Sequence, residues 1–220
     1  MTTLSPTPRS TVRRLPHRAR TDRSELHAVL DAGMVCHLGL VMDGAPVVLP
    51  TGYGRIDDVL YLHGSTGAAS LRAAARNEPV CVTVTHVDGV VYARSVFHHS
   101  MNYRSAVVHG VPRLVTDDAE RLAGLRAIVE NMSPGSWEHA RGPNRKELAA
   151  TAVLALDLTE ASLKVRTGPP LDDDEDVADD VPTGRWSGVL PVRTVFGEPV
   201  PCPLLPASTP VAGHVGDRRD

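Results

Sequence analysis

Nine consecutive residues, Phe97-His98-His99-Ser100-Met101-Asn102-Tyr103-Arg104-Ser105, gather hydrogen-bonding and cationic side chains directly behind an apolar, β-branched stretch. Asn102 and Ser105 can donate and accept, Tyr103 offers a flat ring with a hydroxyl, and Arg104 offers a planar fork of donors. Together they suit a planar, anionic ligand rich in hydrogen-bonding atoms. The plainer alternative is a polar turn whose arginine pairs with a surface carboxylate.

Two other patches could belong to the same chemistry. Leu49-Pro50-Thr51-Gly52-Tyr53-Gly54 ends a strand-like run, where Pro50 keeps Leu49 extended and each glycine lets a ligand approach the backbone closely. A strand edge with a bulge would look the same. His63-Gly64-Ser65-Thr66-Gly67 joins a strand to a helix, a plausible phosphate seat with Ser65, Thr66, Ser70 and Arg72 as donors ahead of a helix start. The GxxxxGK[ST] and GxGxxG spacings are absent, so a P-loop or a Rossmann site is not expected. His98 and His99 are adjacent, which on a strand sends them to opposite faces rather than to one metal. HExxH, CxxC and GxSxG are also absent, leaving little support for a protein-bound metal or a hydrolytic triad.

The elements that must carry these patches are mostly strands. Period-two runs at 35–41, 45–53 and 59–62, joined by Asp43-Gly44 and Asp57-Asp58, read as an antiparallel meander. Val80 to Thr85 and Val87 to Ala93, with Asp88-Gly89 between them, read as a further hairpin, so the nine-residue cluster is expected where a returning strand leaves the sheet. More strands are expected at 106–115, 152–158 and 162–166. Helices are expected from a cap at Thr21 or Asp22 to Gly33, over 68–77, and from a cap at Thr116 with a buried stripe of Leu122, Leu125, Ile128 and Val129. A short helix near 146–149 completes the set. The sum is a mainly β chain: a six- to eight-stranded antiparallel barrel with helices outside it, rather than a parallel doubly wound sheet.

With 220 residues, 42% of them hydrophobic, the chain suits one domain with tails. Residues 1–20 read as a flexible basic arm, 21–192 as the domain with an acidic linker at 170–182, and 193–220 as a Pro-rich tail. A net charge of −3 gives no global footprint for nucleic acid. Cys36, Cys81 and Cys202 are odd in number and widely spaced, which argues for reduced thiols and a cytoplasmic setting. No apolar run is long enough for a membrane span. Trp186, beyond the acidic run, is an aromatic expected to dock somewhere.

The order Val-Leu-Pro-Thr-Gly-Tyr (48–53), Leu-Tyr-Leu-His-Gly-Ser-Thr (60–66), Val-Cys-Val-Thr-Val-Thr (80–85), Ala-Arg-Ser-Val-Phe-His-His-Ser-Met-Asn-Tyr-Arg-Ser (93–105) and Arg-Trp-Ser-Gly-Val-Leu-Pro (185–191) resembles the pyridoxamine 5'-phosphate oxidase-like flavoproteins. Within them it is most similar to the flavin-nucleotide-binding branch that contains the nitroimidazole-resistance proteins. The resemblance implies a split β-barrel, a homodimer, and FMN in a cleft between subunits. It implies that Pro50, Thr51, Gly52 and Tyr53 line the isoalloxazine, and that His63, Gly64, Ser65, Thr66 and the following helix start take the phosphate. Asn102, Tyr103, Arg104 and Ser105 would border the cleft, and Lys164, Arg166 and Trp186 would come from the facing subunit. Ala68 and Ala69 stand where pyridoxamine oxidases carry a basic residue, with Arg72 as the substitute. The Arg-rich signature that holds pyridoxal phosphate is missing, so vitamin B6 oxidation is not implied. The expectation is a flavin-dependent oxidoreductase of unknown substrate, with no protein side chain needed as a covalent catalyst. The alternative is a binding protein for flavin, deazaflavin or haem, the last ligated by His63, His98 or His99.

Overall fold

The computed structural model describes residues 3, 4, 6–180 and 184–219. The chain forms β1 (Ala19–Arg20), α1 (Arg23–Asp31), β2 (Val35–Met42), β3 (Ala45–Ile56), β4 (Val59–Ser65), α2 (Ala69–Ala74), β5 (Val80–Tyr92), β6 (Ser100–Gly110) and β7 (Arg113–Leu114). Then follow α3 (Asp118–Met132), α4 (Ser136–His139), α5 (Arg145–Ala150), β8 (Thr151–Asp157), β9 (Glu160–Arg166), α6 (Asp174–Asp180), β10 (Gly188–Pro191) and α7 (Gly213–Gly216). All pairings are antiparallel, in the order β1-β9-β6-β5-β2-β3-β4-β8-β7, with β10 also on β5. The mainly β antiparallel architecture is as expected. Among the described residues the strands number ten rather than six to eight, because the short β1 and β10 come from segments with no period-two signal and the run expected at 106–115 is divided between β6 and the short β7.

Two Asp-Gly dipeptides behave differently. Asp43 and Gly44 take φ of 50° and 80° and close a tight turn between Met42 and Ala45, which pair directly. The hairpin expected at Asp88-Gly89 does not form: β5 runs unbroken through it with a bulge between Val87 and Gly89. Neighbours on both sides hold the strand extended there. Asn102 of β6 and Pro191 of β10 both pair with Gly89, and the Asp88 carboxylate is gripped from β6 by Arg104.

Alternation along β5 buries Val80, Val82 and Val84 against Leu26, Val29 and Leu30 of α1, with Leu38, Ala106, Val108 and Leu163 completing the main core. Asp22 is the N-cap of α1, accepting from Ser24 N at 2.8 Å. A second cluster of Tyr61, Val115, Ile128, Val153 and Ala155 lies beneath α3. The cap of α3 is Asp117, not Thr116, and its buried face is Gly124 and Ile128 rather than the full leucine stripe: Leu122 is exposed. Glycine sets that face because α3 rides close to the strands. A Cβ on Gly54 would lie 2.3 Å from the Ala127 carbonyl carbon.

The terminal segments pack on this body. Leu4 and Ser10 are buried, and Thr7 and Arg9 both bind the Glu160 carboxylate, so the N-terminal segment lies along β9. Within the acidic stretch, Asp172 accepts from the Arg94 backbone and guanidinium and from Ser187, and 174–180 is helical; its last residues, 181 and 182, lie outside the described residues. The C-terminal tail returns to the end of α3, where Arg218 donates to Met132 O and stacks 4.0 Å over Phe196.

Candidate cofactor site

The site begins where two paired strands separate. β3 and β4 are bonded from the Ile56–Val59 pair to the Tyr53–Leu62 pair. Beyond it they part: residues 45–52 of β3 pair with β2, and residues 63–65 of β4 pair only with β8. Pro50, Thr51 and Gly52 therefore stand on one lip of a split and His63, Gly64 and Ser65 on the other. Pro50 is exposed, Thr51 and Gly52 are half-buried, and the Met132 sulfur sits 3.2 Å from the Cβ position of Gly52.

Tyr53 does not face that split. It is fully buried and its hydroxyl donates to Leu30 O, so only its backbone is open to a ligand. Burial pushes its phenol pKa far above the ordinary value. His63, the first β4 residue past the parting, has a buried Nδ1 with no hydrogen-bond partner. Burial lowers the pKa of this imidazole and favours its neutral form.

The loop after β4 is closed on itself. Thr66 N donates to Ala150 O at 2.9 Å, Gly67 N to Ser65 Oγ at 3.1 Å, and Ala68 N to Ser65 O at 2.9 Å. Those amides are thus occupied, and α2 is a six-residue helix whose N-cap, Ala68, supplies no side chain. Charge for a phosphate has another source. A cavity of about 350 Å³ beside this loop is walled by Leu71, Ala75, Leu114, Val115 and Ala152, with Thr66, Thr116 and Thr151 among its hydroxyls and both Arg72 and Arg121 in its lining. Arg72 spends one donor on Gly67 O at 2.6 Å, and Arg121 pairs through Nη2 with the exposed Asp118 at 2.8 Å while its buried Nε has no partner. An apolar wall with two guanidiniums accommodates a flat, phosphate-bearing group. No motif in the sequence points to Arg121. Ser70 lies on α2 and is not part of that lining.

The remaining expected residues form a separate cluster on β6 and β9, two strands away from β3 through β5 and β2. Ser105 pairs with Lys164 and Tyr103 with Arg166 across these strands. Asn102 is buried, accepts from Arg166 through Oδ1, and donates to Gly168 O at 3.1 Å. Arg104 makes a bidentate pair with Asp88 at 2.9 and 2.8 Å, which draws the Asp88 carboxyl below its usual range. Its fork is filled by its own chain. Ser105 meets Thr85 hydroxyl to hydroxyl at 3.1 Å. Trp186 is exposed, with its ring 5.6 Å from Tyr92. His98 lies 3.1 Å from Asp173, and His99 Nδ1 meets Ser95 O at 3.1 Å. One chain thus presents two groups of candidate residues and does not bring them together.

The three cysteines are unpaired: Cys36 is buried, Cys81 half-buried and Cys202 exposed. Among the described residues, no helix is long and apolar enough to cross a membrane.

Comparison with known proteins fits this architecture. The flavocytochrome Anf3 from Azotobacter vinelandii is 39% identical, covers 98% of this chain and 99% of its own, and superposes with a TM-score of 0.89. An FAD and haem binding protein from Mycobacterium smegmatis is 42% identical over 92% of this chain and 97% of its own, with a TM-score of 0.86. A 5-nitroimidazole antibiotic resistance protein from Bacteroides thetaiotaomicron shares the fold at 20% identity over 67% of this chain and 86% of its own, with a TM-score of 0.57. No curated protein matches this chain. The family model for pyridoxamine 5'-phosphate oxidase matches residues 22–165, and with two relatives near 40% identity along almost the whole length, the chain belongs to the pyridoxamine 5'-phosphate oxidase family.

Proposed function

We propose that this protein is a flavin-binding oxidoreductase, with the flavin seated where β3 and β4 part. The observation that carries the reading is the divergence of Pro50–Gly52 from His63–Ser65 beside a cavity holding Arg72 and Arg121. A bound flavin supplies electron transfer, and the chain's own residues bind and orient it. The backbone of Pro50 to Gly52 would meet the ring, and Arg72, Arg121 and the threonine hydroxyls would meet the phosphate end. The other candidate group, on β6 and β9, is separated from β3 in the sheet by β5 and β2 and contributes nothing to the lining of this cavity within one chain. A homodimer that sets one subunit's β6 and β9 against its partner's split unites the two, which supports the subunit-interface cleft.

FAD is favoured over the FMN that the sequence resemblance implies. The Mycobacterium smegmatis relative is an FAD protein, and the cavity beyond Thr66 has an apolar wall against which an adenylate can lie. Absorbance of the purified protein and mass spectrometry of the ligand released by heat test this: FAD is expected, FMN would return the dinucleotide to a mononucleotide, and a protein that takes up neither sinks the flavin reading.

A second group, haem, has a specific observation in its favour. Both relatives near 40% identity carry haem or cytochrome in their names, and His63 offers a neutral imidazole with a buried, unpartnered nitrogen, the form that ligates iron. His98 and His99 are already engaged by Asp173 and Ser95. In His63→Ala the Soret band should be lost while flavin absorbance is kept; a Soret band retained in full assigns the iron elsewhere.

A further inference from the structure

A second cavity, of about 220 Å³, opens where the N-terminal segment crosses the end of β9, with His17, Arg18, Arg20, Arg166 and Thr167 in its lining. Arg166 is only 6% exposed. Its donors reach Asn102 Oδ1, Gly168 O at 3.3 Å and Pro169 O at 3.1 Å, and its buried Nε has no partner. Every one of those acceptors is neutral. Among the described residues no carboxylate pairs with Arg166 or Arg18, and none lines the cavity. Arg20 has Glu25 at 3.8 Å. Burial first, and the charge of Arg18 second, lower the pKa of the Arg166 guanidinium. A buried cation facing a like charge is costly unless an anion joins them.

We infer that this cavity is an oxyanion site that takes a phosphate group between Arg18 and Arg166, with Thr167 as a further donor. With Arg20 matched to Glu25, Arg18 and Arg166 leave two positive charges, which suit the roughly −1.5 to −2 charge of a phosphate monoester near neutrality. Guanidinium forks also match phosphate oxygens in geometry. The site stands independently of the flavin reading. Its phosphate is either the monoester of FMN, an outcome that would also count against the FAD reading, or a free phosphate or phosphate ester.

The test is thermal melting of the full-length protein in inorganic phosphate against chloride at matched ionic strength, which removes general screening. Phosphate should raise Tm of the wild type. Arg18→Glu, which places a carboxylate beside Arg166, should raise Tm in chloride and abolish the phosphate response. Arg18→Gln should weaken phosphate by about tenfold or more, the loss of a charged hydrogen bond, and covers the case in which the glutamate variant fails to fold. An equal Tm of the wild type in both salts, or an Arg18→Gln protein that responds as the wild type does, overturns the site. Where Arg18→Gln also weakens FMN but not riboflavin, the phosphate is the flavin's own. Unchanged flavin affinity with a lost phosphate response assigns the site to a separate phosphate. A wild type that binds no flavin leaves the phosphate arm fully readable.

Discussion

Arg104 on β6 and Arg166 on β9 lie on neighbouring strands, and their surroundings are opposite. Arg104 keeps about a third of its side chain in solvent and holds both oxygens of Asp88. Arg166 is buried among neutral acceptors beside another guanidinium. The more accessible arginine is the satisfied one. Accessibility therefore misleads as a guide to ligand binding here; the informative quantity is charge left uncompensated after the chain's own partners are counted.

The largest expected effect comes from Arg166→Ala. It strands the buried Asn102 Oδ1, while Gly168 O keeps its bond from Asn102 Nδ2 and Pro169 is exposed to water; a buried acceptor left unpaired costs about 1–3 kcal/mol. A loss of about 1–3 kcal/mol in urea unfolding is expected on that basis. A smaller loss than in Arg104→Ala would invert the comparison. Arg104→Ala breaks a pair in which both side chains are about a third exposed, so it should cost about 1 kcal/mol or less. It should also leave flavin affinity unchanged, since the fork is spent on Asp88. A marked affinity loss, not restored by Arg104→Lys, would reinstate Arg104 as a cofactor ligand.

Acid should separate the two arginines further. The folded Asp88 carboxyl is held below its unfolded value, first by the hydrogen bonds from Arg104. Its contribution is present above an unfolded pKa of about 3.9 and is lost as pH falls through the lower folded value. The coupling between Arg104 and Asp88 in a double-mutant cycle should therefore fade in acid, while that between Arg166 and Asn102, an amide, should not. Parallel fading of both would mean that Arg166 depends on a carboxylate. The smallest effect is a control on the same variants. Burial pushes the Cys36 thiol up to about 12, so native alkylation should label Cys202 and spare Cys36. Labelling of Cys36 in native Arg166→Ala would show that the core, and not a local bond, had opened.

Strands and helices were legible because their signals are local. Period-two runs marked β2 to β4, and Asp43-Gly44 marked a turn that needs positive φ at both residues. Asp88-Gly89 has the same local form and became a bulge because strands from distant parts of the chain claim it on both sides. The partner of Arg104 was hidden for the same reason, since only the β5–β6 register carries Asp88 to it. Thr51, Gly52, His63 and Ser65 were singled out in the sequence and do line the parting strands. Tyr53 was singled out with them, yet it faces the core, where one step of alternation places it. Nothing near Arg121 in the sequence marks it as a cavity residue, and the segments carrying Arg18 and Arg166 are nearly 150 positions apart along the chain.

β3 is bonded to β2 along its first two-thirds and to β4 along its last third, so one backbone is the seam between the two halves of the fold. A seam of this kind removes the possibility of unfolding either half by itself: losing β3 from one side withdraws it from the other. Protected amides of β2, β4 and β8 should then exchange with deuterium through one common opening rather than through separate ones. The lips of the split, Pro50 to Gly52 and His63 to Ser65, continue from that seam, so an opening that frees the ligand seat should be the same one that frees β2, β4 and β8.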